Sequence, residues 1–211
     1  MAPLVKLNEF WPFFKTSEYR RFDYSTTDDF PSESSAPSFS AVFSYDIKTN
    51  SMLLSEFTEA GIQKNRWYYK YKPGLGIHEW RDDYPNKTVV LRHPIGWGDE
   101  IRVGQSYANS PKMCPINSWP PAFKAGSQFV HFEKLYPIYL CKNGDAYRDV
   151  LQFAYLQTWG RNELIAGARY LMAKGVGPIS VQWIAETPKG SGVFLECVPL
   201  EAKVSSFLIE K

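Results

Sequence analysis

Apolar and polar positions alternate with a period of two in several segments of this 211-residue chain. In residues 39–46, Phe39, Ala41, Phe43 and Tyr45 occupy every second position. A polar turn follows, and then comes an apolar run at 52–57. Alternation of this kind is typical of half-buried β-strands. The pattern therefore predicts an antiparallel hairpin that opens a β domain at residue 39.

Two segments of the chain repeat each other, at 71–80 and at 173–183. Each contains a Lys, a Gly-apolar-Gly turn and a strand-like run that ends in Trp, and aromatic residues precede both copies. Glycine supplies the positive φ that tight turns require, so the repeat predicts two hairpins. The predicted turn residues are Gly74, Gly76, Gly175 and Gly177. A dinucleotide site is not indicated, because the third glycine of that motif is missing.

The remaining apolar runs predict further strands. We expect a hairpin between 88–92 and 100–104, strands within 128–140, and a final pair at 193–198 and 203–209. Residues 145–159 are compatible with one face of a helix or with a strand, and we favour a strand because bulky rings and Val150 suit a sheet. The predicted fold is mainly β, an antiparallel meander that forms a curved sheet, half-barrel or barrel.

The second copy of the repeat, Arg169 to Ile179, has an aromatic strand followed by an Ala-x-Gly-Val-Gly turn. It resembles the strand, glycine turn and strand of bacterial lipoprotein-like β proteins of the curved half-barrel type. The resemblance implies a curved antiparallel sheet whose concave face holds an apolar ligand or a partner. That family carries a lipid-modified cysteine near its N-terminus. The first cysteine here is Cys114, so membrane anchoring is not carried over.

The chain divides by composition into residues 1–38 and 39–211. The first 24 residues are crowded with rings, and 25–40 is rich in Ser, Thr, Asp and Pro. We therefore expect 1–38 to be an N-terminal arm and linker, and 39–211 to be a single antiparallel β domain. The arm must pack on its own domain or dock onto a neighbour, because its rings would otherwise form a large exposed patch. A second irregular stretch, 106–127, is a long proline-rich loop.

Aromatic residues make up 16% of the chain, and Tyr and Trp are typical of interface centres. The candidate interface residues lie in the arm, on the first repeat strand and in the proline-rich loop: Phe10, Trp11, Phe13, Phe14, Tyr19, Trp67, Tyr69, Tyr71, Trp119 and Phe123. The formal net charge of +2 comes from 24 basic and 22 acidic residues spread through the chain. This balance argues against a nucleic-acid partner.

The sequence contains no visible export or membrane signal. No basic start with an apolar run and a cleavage site is present, and no run of apolar residues is long enough to span a membrane as a helix. We expect a protein made in the cytosol. Its three widely spaced cysteines, an odd number without a CxxC pair, are expected to be reduced thiols.

No catalytic, cofactor or metal motif is recognisable. The three histidines are scattered, without ligand spacing, and adjacent carboxylates point to opposite faces of a strand. We therefore expect no enzyme activity, no cofactor and no metal. The enzyme alternative requires a cavity in which His93 or His131 meets a carboxylate such as Asp99 or Glu133.

The leading hypothesis from sequence is a non-enzymatic subunit of a homo- or hetero-oligomeric protein assembly. A bacteriophage virion component of the tail, neck or baseplate is one concrete candidate. The alternative is a ligand-binding half-barrel that holds an apolar small molecule on its concave face. A deep pocket lined by rings from both glycine hairpins would favour this alternative.

Overall fold

The computed structural model describes residues 2–13, 18–26, 37–48, 50–73, 76–83, 88–89, 95–96, 100–108, 114–116, 128–159, 164–187, 191 and 193–208. Within these residues the fold is mainly β, as predicted, with seventeen strands and one 3-10 turn at Leu7–Glu9. The strands are β1 (Leu4–Lys6), β2 (Glu18–Ser25), β3 (Phe39–Asp46), β4 (Ser51–Thr58), β5 (Gln63–Lys72), β6 (Gly76–Asp83), β7 (Thr88–Val89), β8 (Ile95–Gly96), β9 (Glu100–Arg102), β10 (Ser106–Ala108), β11 (Cys114–Ile116), β12 (Gln128–Leu140), β13 (Ala146–Trp159), β14 (Leu164–Ala173), β15 (Gly177–Glu186), β16 (Phe194–Glu196) and β17 (Leu200–Leu208).

Fifteen of these strands form one sheet in the order β11-β10-β12-β13-β14-β15-β17-β2-β3-β4-β5-β6-β7, with β16 beside β15 and β8 beside β6. The neighbours along this path pair antiparallel. Strands β1 and β9 form a separate antiparallel pair. Hydrogen bonding among the described strands does not close the sheet into a barrel.

The sheet consists of two meanders, β2 to β7 and β12 to β15, joined through β17. Strand β17 pairs with β2 over eight residues, from Glu201 opposite Ser25 to Leu208 opposite Glu18. Strand β2 also pairs with β3 on its other side. Residues 18–25, which the sequence analysis assigned to the arm, therefore form a strand in the middle of the sheet.

Several predicted elements are confirmed. The pairs β3–β4, β5–β6 and β14–β15 are hairpins, and residues 146–159 form strand β13 rather than a helix. The turn glycines Gly76, Gly175 and Gly177 have φ values of 84°, 71° and 115°, consistent with their predicted role. Gly74 lies outside the described residues.

Two predicted pairings are wrong. Strand β9 pairs with β1, and Thr88 and Val89 of its predicted partner pair with β6. The N-terminal segment supplies an apolar partner for β9, because Val5 and Ile101 lie opposite each other and both are buried. Strands β16 and β17 do not form the final pair. Both lie beside β15 instead, β16 along residues 184–186 and β17 along residues 180–181.

The main core lies between the two meanders. Phe22 and Phe43 contribute to it from β2 and β3, and Phe132 and Phe153 from β12 and β13. The N-terminal segment joins the same core, because Leu7 and Phe10 are almost completely buried. The two halves of the sheet therefore curve to face each other, with residues 5–11 packed between them.

Candidate ligand cavity

The concave side of the curved sheet encloses a cavity of about 460 Å³. One meander contributes five aromatic side chains, those of Tyr24, Phe39, Phe43, Trp67 and Tyr69. The other meander contributes four, those of Phe153, Tyr155, Tyr170 and Trp183. A cavity of this size and apolar character lies within the range typical of small-molecule sites, about 300–1,000 Å³.

Three small residues on β14 contribute to the wall of the cavity. Ala166, Gly167 and Ala168 line the cavity beside one another. Gly167 also permits a close approach between strands, since a Cβ at this position would lie 1.9 Å from the backbone oxygen of Tyr155. Side chains this small leave space between the two halves of the sheet.

Trp11 contributes a further wall of the cavity from the N-terminal segment. Its ring stacks on Phe153 with centroids 5.7 Å apart, and it makes a tilted contact with Tyr69 at 6.4 Å. Phe153 belongs to one meander and Tyr69 to the other. Trp11 therefore bridges the two halves of the sheet and holds them at the separation that defines the cavity.

The cavity adjoins a second depression, which we call the outer groove, of about 620 Å³. Its lining includes residues 37–38, residues 57–60 and Lys64. Phe39, Glu56 and Trp183 line both the cavity and the outer groove, and we call these three residues the mouth. Trp183 is 38% exposed and the other two are half-buried, so the mouth is in contact with solvent.

The polar groups of the cavity are few. The Tyr24 hydroxyl donates a hydrogen bond of 2.6 Å to the Pro178 carbonyl oxygen. Burial raises the pKa of Tyr24 well above its ordinary value, and the charges of Tyr170 and Glu56 raise it further. Tyr24 is therefore neutral at physiological pH. Among the described lining residues, Glu56 is the only charged one.

A polar network lies on β12 to β16, outside this cavity. Arg169 donates to Glu133 at 2.8 Å and also forms an ion pair with Glu196, and these two carboxylates raise its pKa even though burial alone would lower it. Gln152 donates to the same Glu133 carboxylate. A half-buried ion-pair network of this kind links neighbouring strands, and we assign it a structural role.

His131, one of the two histidines named for the enzyme alternative, lies beside this network. Its Nδ1 is 2.8 Å from the Ser106 hydroxyl, while the Glu133 carboxylate accepts hydrogen bonds from Arg169 and Gln152. Burial lowers the pKa of His131. None of these residues lines the cavity. His93 and Asp99 lie outside the described residues.

Three of the predicted interface residues lie in the core of the protein. Phe10, Trp11 and Tyr69 are 2%, 7% and 8% exposed, so they belong to the core and are not available to a partner. In this chain these three rings are covered by their own domain. Their rings fill the space between the meanders, which buries more apolar surface than a protruding arm would.

Four other candidates are partly covered by the chain itself. Phe13, Trp67 and Tyr71 pack against the main core, and Tyr19 stacks on Phe207 with centroids 4.9 Å apart. Phe14, Trp119 and Phe123 lie outside the described residues. Glu56 and Trp183 are site residues that no sequence pattern indicated. The apolar run at 52–57 indicated the strand that carries Glu56. Trp183 lies on β15, which pairs with neither β3 nor β4 among the described strands, so it meets Phe39 and Glu56 at the mouth only in the assembled sheet.

Metal and membrane features are limited to two observations. No group of three or more His, Cys, Asp or Glu side chains capable of holding a metal ion is present in the part of the chain that the structure describes. None of the helical segments described is long and apolar enough to cross a membrane.

Comparisons with known proteins give no match to a family model, to a curated protein or to a solved structure. The resemblance of the second glycine hairpin to lipoprotein-like half-barrels therefore stays a prediction. A fold alone does not define an activity, so the geometry and chemistry of the cavity are the guide to function.

Proposed function

We propose that this protein binds an apolar small molecule in the cavity between the two meanders. The observation that carries the proposal is a space of about 460 Å³ lined by rings from both glycine hairpins. Trp67 and Tyr69 come from the first hairpin, and Tyr170 and Trp183 come from the second. An apolar ligand that enters this space removes its own surface and that of the rings from water, which favours binding.

A second candidate function is membership of a protein assembly, including a virion. Several rings that suggested it are covered by the chain itself, which weakens that argument. One observation still favours it: Ile138 and Leu140 are 64% and 70% exposed on β12. The light-scattering mass of the purified protein tests this candidate, since a stable monomer at high concentration would argue against a homo-oligomeric assembly.

The ligand-binding proposal is tested with N-phenyl-1-naphthylamine, a neutral apolar dye whose fluorescence rises in apolar surroundings. We expect saturable binding by the unmodified protein. Ala166→Phe places a ring in the cavity, because Ala166 is a half-buried lining residue, and should abolish saturable binding. Ala146→Phe is the matched control, since Ala146 is exposed at the start of β13 and does not line the cavity.

Thermal unfolding of both variants checks that they fold. The proposal fails if the unmodified protein shows no saturable dye binding. It also fails if folded Ala166→Phe binds the dye as tightly as Ala146→Phe does, because the dye would then occupy another site.

A further inference from the structure

Aromatic side chains are the commonest kind in the wall of the cavity. Among the described lining residues, ten carry an aromatic ring, and these rings come from both meanders and from the N-terminal segment. Five carry an aliphatic side chain larger than that of Ala: Leu54, Met172, Pro178, Val181 and Ile184. A ligand in this space therefore contacts rings on more than one side.

The lining rings pack against one another in the geometries that aromatic pairs prefer. Phe39 stacks on Tyr24 with centroids 4.6 Å apart, and it makes a tilted contact at 6.2 Å with Trp183 of the other meander. Phe153 and Tyr170 make a tilted contact at 5.5 Å. Such arrangements are favourable because the electron-rich face of one ring meets the electron-poor edge of another. A ring contact is not exclusive in the way that an ion pair is, since each of these five rings still contributes surface to the cavity.

We infer that the ligand is an aromatic molecule, with a fused or linked ring system as its apolar body. This inference rests on the proposed function and specifies the ligand class. An aromatic ligand gains edge and face contacts with the wall rings in addition to the burial of its apolar surface, whereas a saturated ligand gains the burial alone. Saturated hydrocarbon bodies, including alkyl chains, are therefore excluded as preferred ligands. The charge of the ligand is left open, because Glu56 at the mouth and Lys64 in the outer groove carry opposite charges.

The test compares 2-naphthalenemethanol with decahydro-2-naphthalenemethanol, which has the same carbon skeleton and no aromatic ring. Both alcohols are neutral, so the charged groups near the mouth do not distinguish them. Burial of apolar surface alone predicts that the saturated alcohol binds at least as tightly, because its additional hydrogen atoms enlarge its apolar surface. We expect the opposite order. Isothermal titration calorimetry should give about tenfold tighter binding of the aromatic alcohol, the scale of one or two aromatic contacts.

Two variants assign the preference to the rings of the wall. Trp183→Leu replaces a lining ring by an aliphatic side chain at a position that is 38% exposed, outside the packed core. The ratio of the two affinities, aromatic to saturated, should fall by about threefold. Phe207→Leu is the matched control: Phe207 is 45% exposed on β17 and lines neither the cavity nor the outer groove, so its replacement should leave the ratio unchanged. Thermal unfolding verifies that both variants are folded.

The outcomes separate this inference from the proposed function. If N-phenyl-1-naphthylamine binds but the saturated alcohol binds as tightly as the aromatic one, the inference is overturned and the apolar cavity stands. The same holds if the ratio is unchanged in folded Trp183→Leu, or falls as far in Phe207→Leu. If the dye and both alcohols fail to bind, the proposed function itself is wrong. The comparison of the two alcohols on the unmodified protein needs no variant, so misfolding of Trp183→Leu does not protect the inference.

Discussion

Gly177 lies directly against Pro12, such that a Cβ at position 177 would stand 3.2 Å from Pro12 Cγ. The same Cβ would stand 3.1 Å from the Phe22 ring. Two further contacts join this turn to the N-terminal segment: the Gly175 amide donates to the Glu9 carbonyl oxygen at 2.8 Å, and Lys174 forms an ion pair with the Glu9 carboxylate at 2.9 Å. The second glycine turn therefore fixes the segment that carries Trp11 into the cavity wall.

Replacing Gly177 by Ala should destabilise the protein more than replacing Gly175 by Ala. Both positions have positive φ, 115° and 71°, so both substitutions add backbone strain. Only at Gly177 does the new methyl group meet neighbouring atoms, whereas a Cβ at Gly175 has open space. We expect losses of about 2–3 kcal/mol for Gly177→Ala and about 1 kcal/mol for Gly175→Ala in the free energy of unfolding.

Chemical denaturation of the two variants measures this difference. Adding Pro12→Ala to Gly177→Ala should recover part of the loss, because the new methyl group then has more room. Equal losses for the two glycine variants would contradict the proposed contact between the turn and the N-terminal segment.

The N-terminal rings provide a second prediction, because their burial separates a core role from an interface role. Phe10 is 2% exposed, whereas Phe207 is 45% exposed. Phe10→Ala removes a ring from a packed core and should lower the free energy of unfolding by about 3–5 kcal/mol, while Phe207→Ala should lower it by about 1 kcal/mol or less. Denaturant titration of both variants gives these values, and light scattering gives their mass. A Phe10→Ala variant of unchanged stability that shifts from oligomer to monomer would place Phe10 in an interface instead.

The sequence predicts local elements well because their signals lie within a few residues of each other. Apolar residues at every second position from Phe39 to Tyr45 indicate a strand. The Gly-apolar-Gly sequence of the turn indicates positive φ at Gly175 and Gly177. The pairing of β17 with β2 has no such signal. It joins residues about 180 positions apart, such as Val204 and Phe22, and depends on the burial that the assembled sheet achieves.

Sequence patterns do not predict the cavity. Ala166 and Ala168 are unremarkable residues in a strand, and they line a cavity together with Trp67 and Tyr69 of the other meander only in the assembled sheet. The sequence also predicted the arm's rings to be covered, but left open whether by this chain or by a neighbour. Burial of Phe10 and Trp11 answers that question for those two rings.

His131 gives a prediction on pH dependence. Burial lowers its pKa in the folded protein below the ordinary value of about 6.5, against the opposing charge of Glu133, while Arg169 lowers it further. At a pH between the folded and the unfolded pKa of His131, the unfolded chain therefore binds a proton more readily than the folded protein does. The stability that His131 contributes is fully present above about pH 6.5 and is lost as the pH falls through its folded pKa.

His131→Gln removes this titration. Between pH 7.5 and 5.5, we expect the Tm of the unmodified protein to fall by about 1–2 °C more than that of the variant. The change in Tm with pH is the measurement, because the altered contact with Ser106 acts on the absolute stability of the variant at every pH. Identical pH dependence of the two proteins would mean that His131 has the same pKa folded and unfolded.

Cysteine labelling reports directly on the cavity. Cys197 lines it and is half-buried, whereas Cys141 is 2% exposed, and burial followed by the charges of Glu201 and Asp145 raises the pKa of the Cys141 thiol to about 12. This shift from 9.0 reduces the reactive thiolate roughly a thousandfold at pH 8.

In a Cys114→Ser background, an aromatic disulfide reagent should therefore modify one thiol in the folded protein and both after unfolding. Saturating N-phenyl-1-naphthylamine should slow the single reaction when the dye occupies the cavity, because Cys197 is one of the lining residues. If the dye binds saturably but leaves the labelling rate unchanged, its site is not the cavity that Cys197 lines.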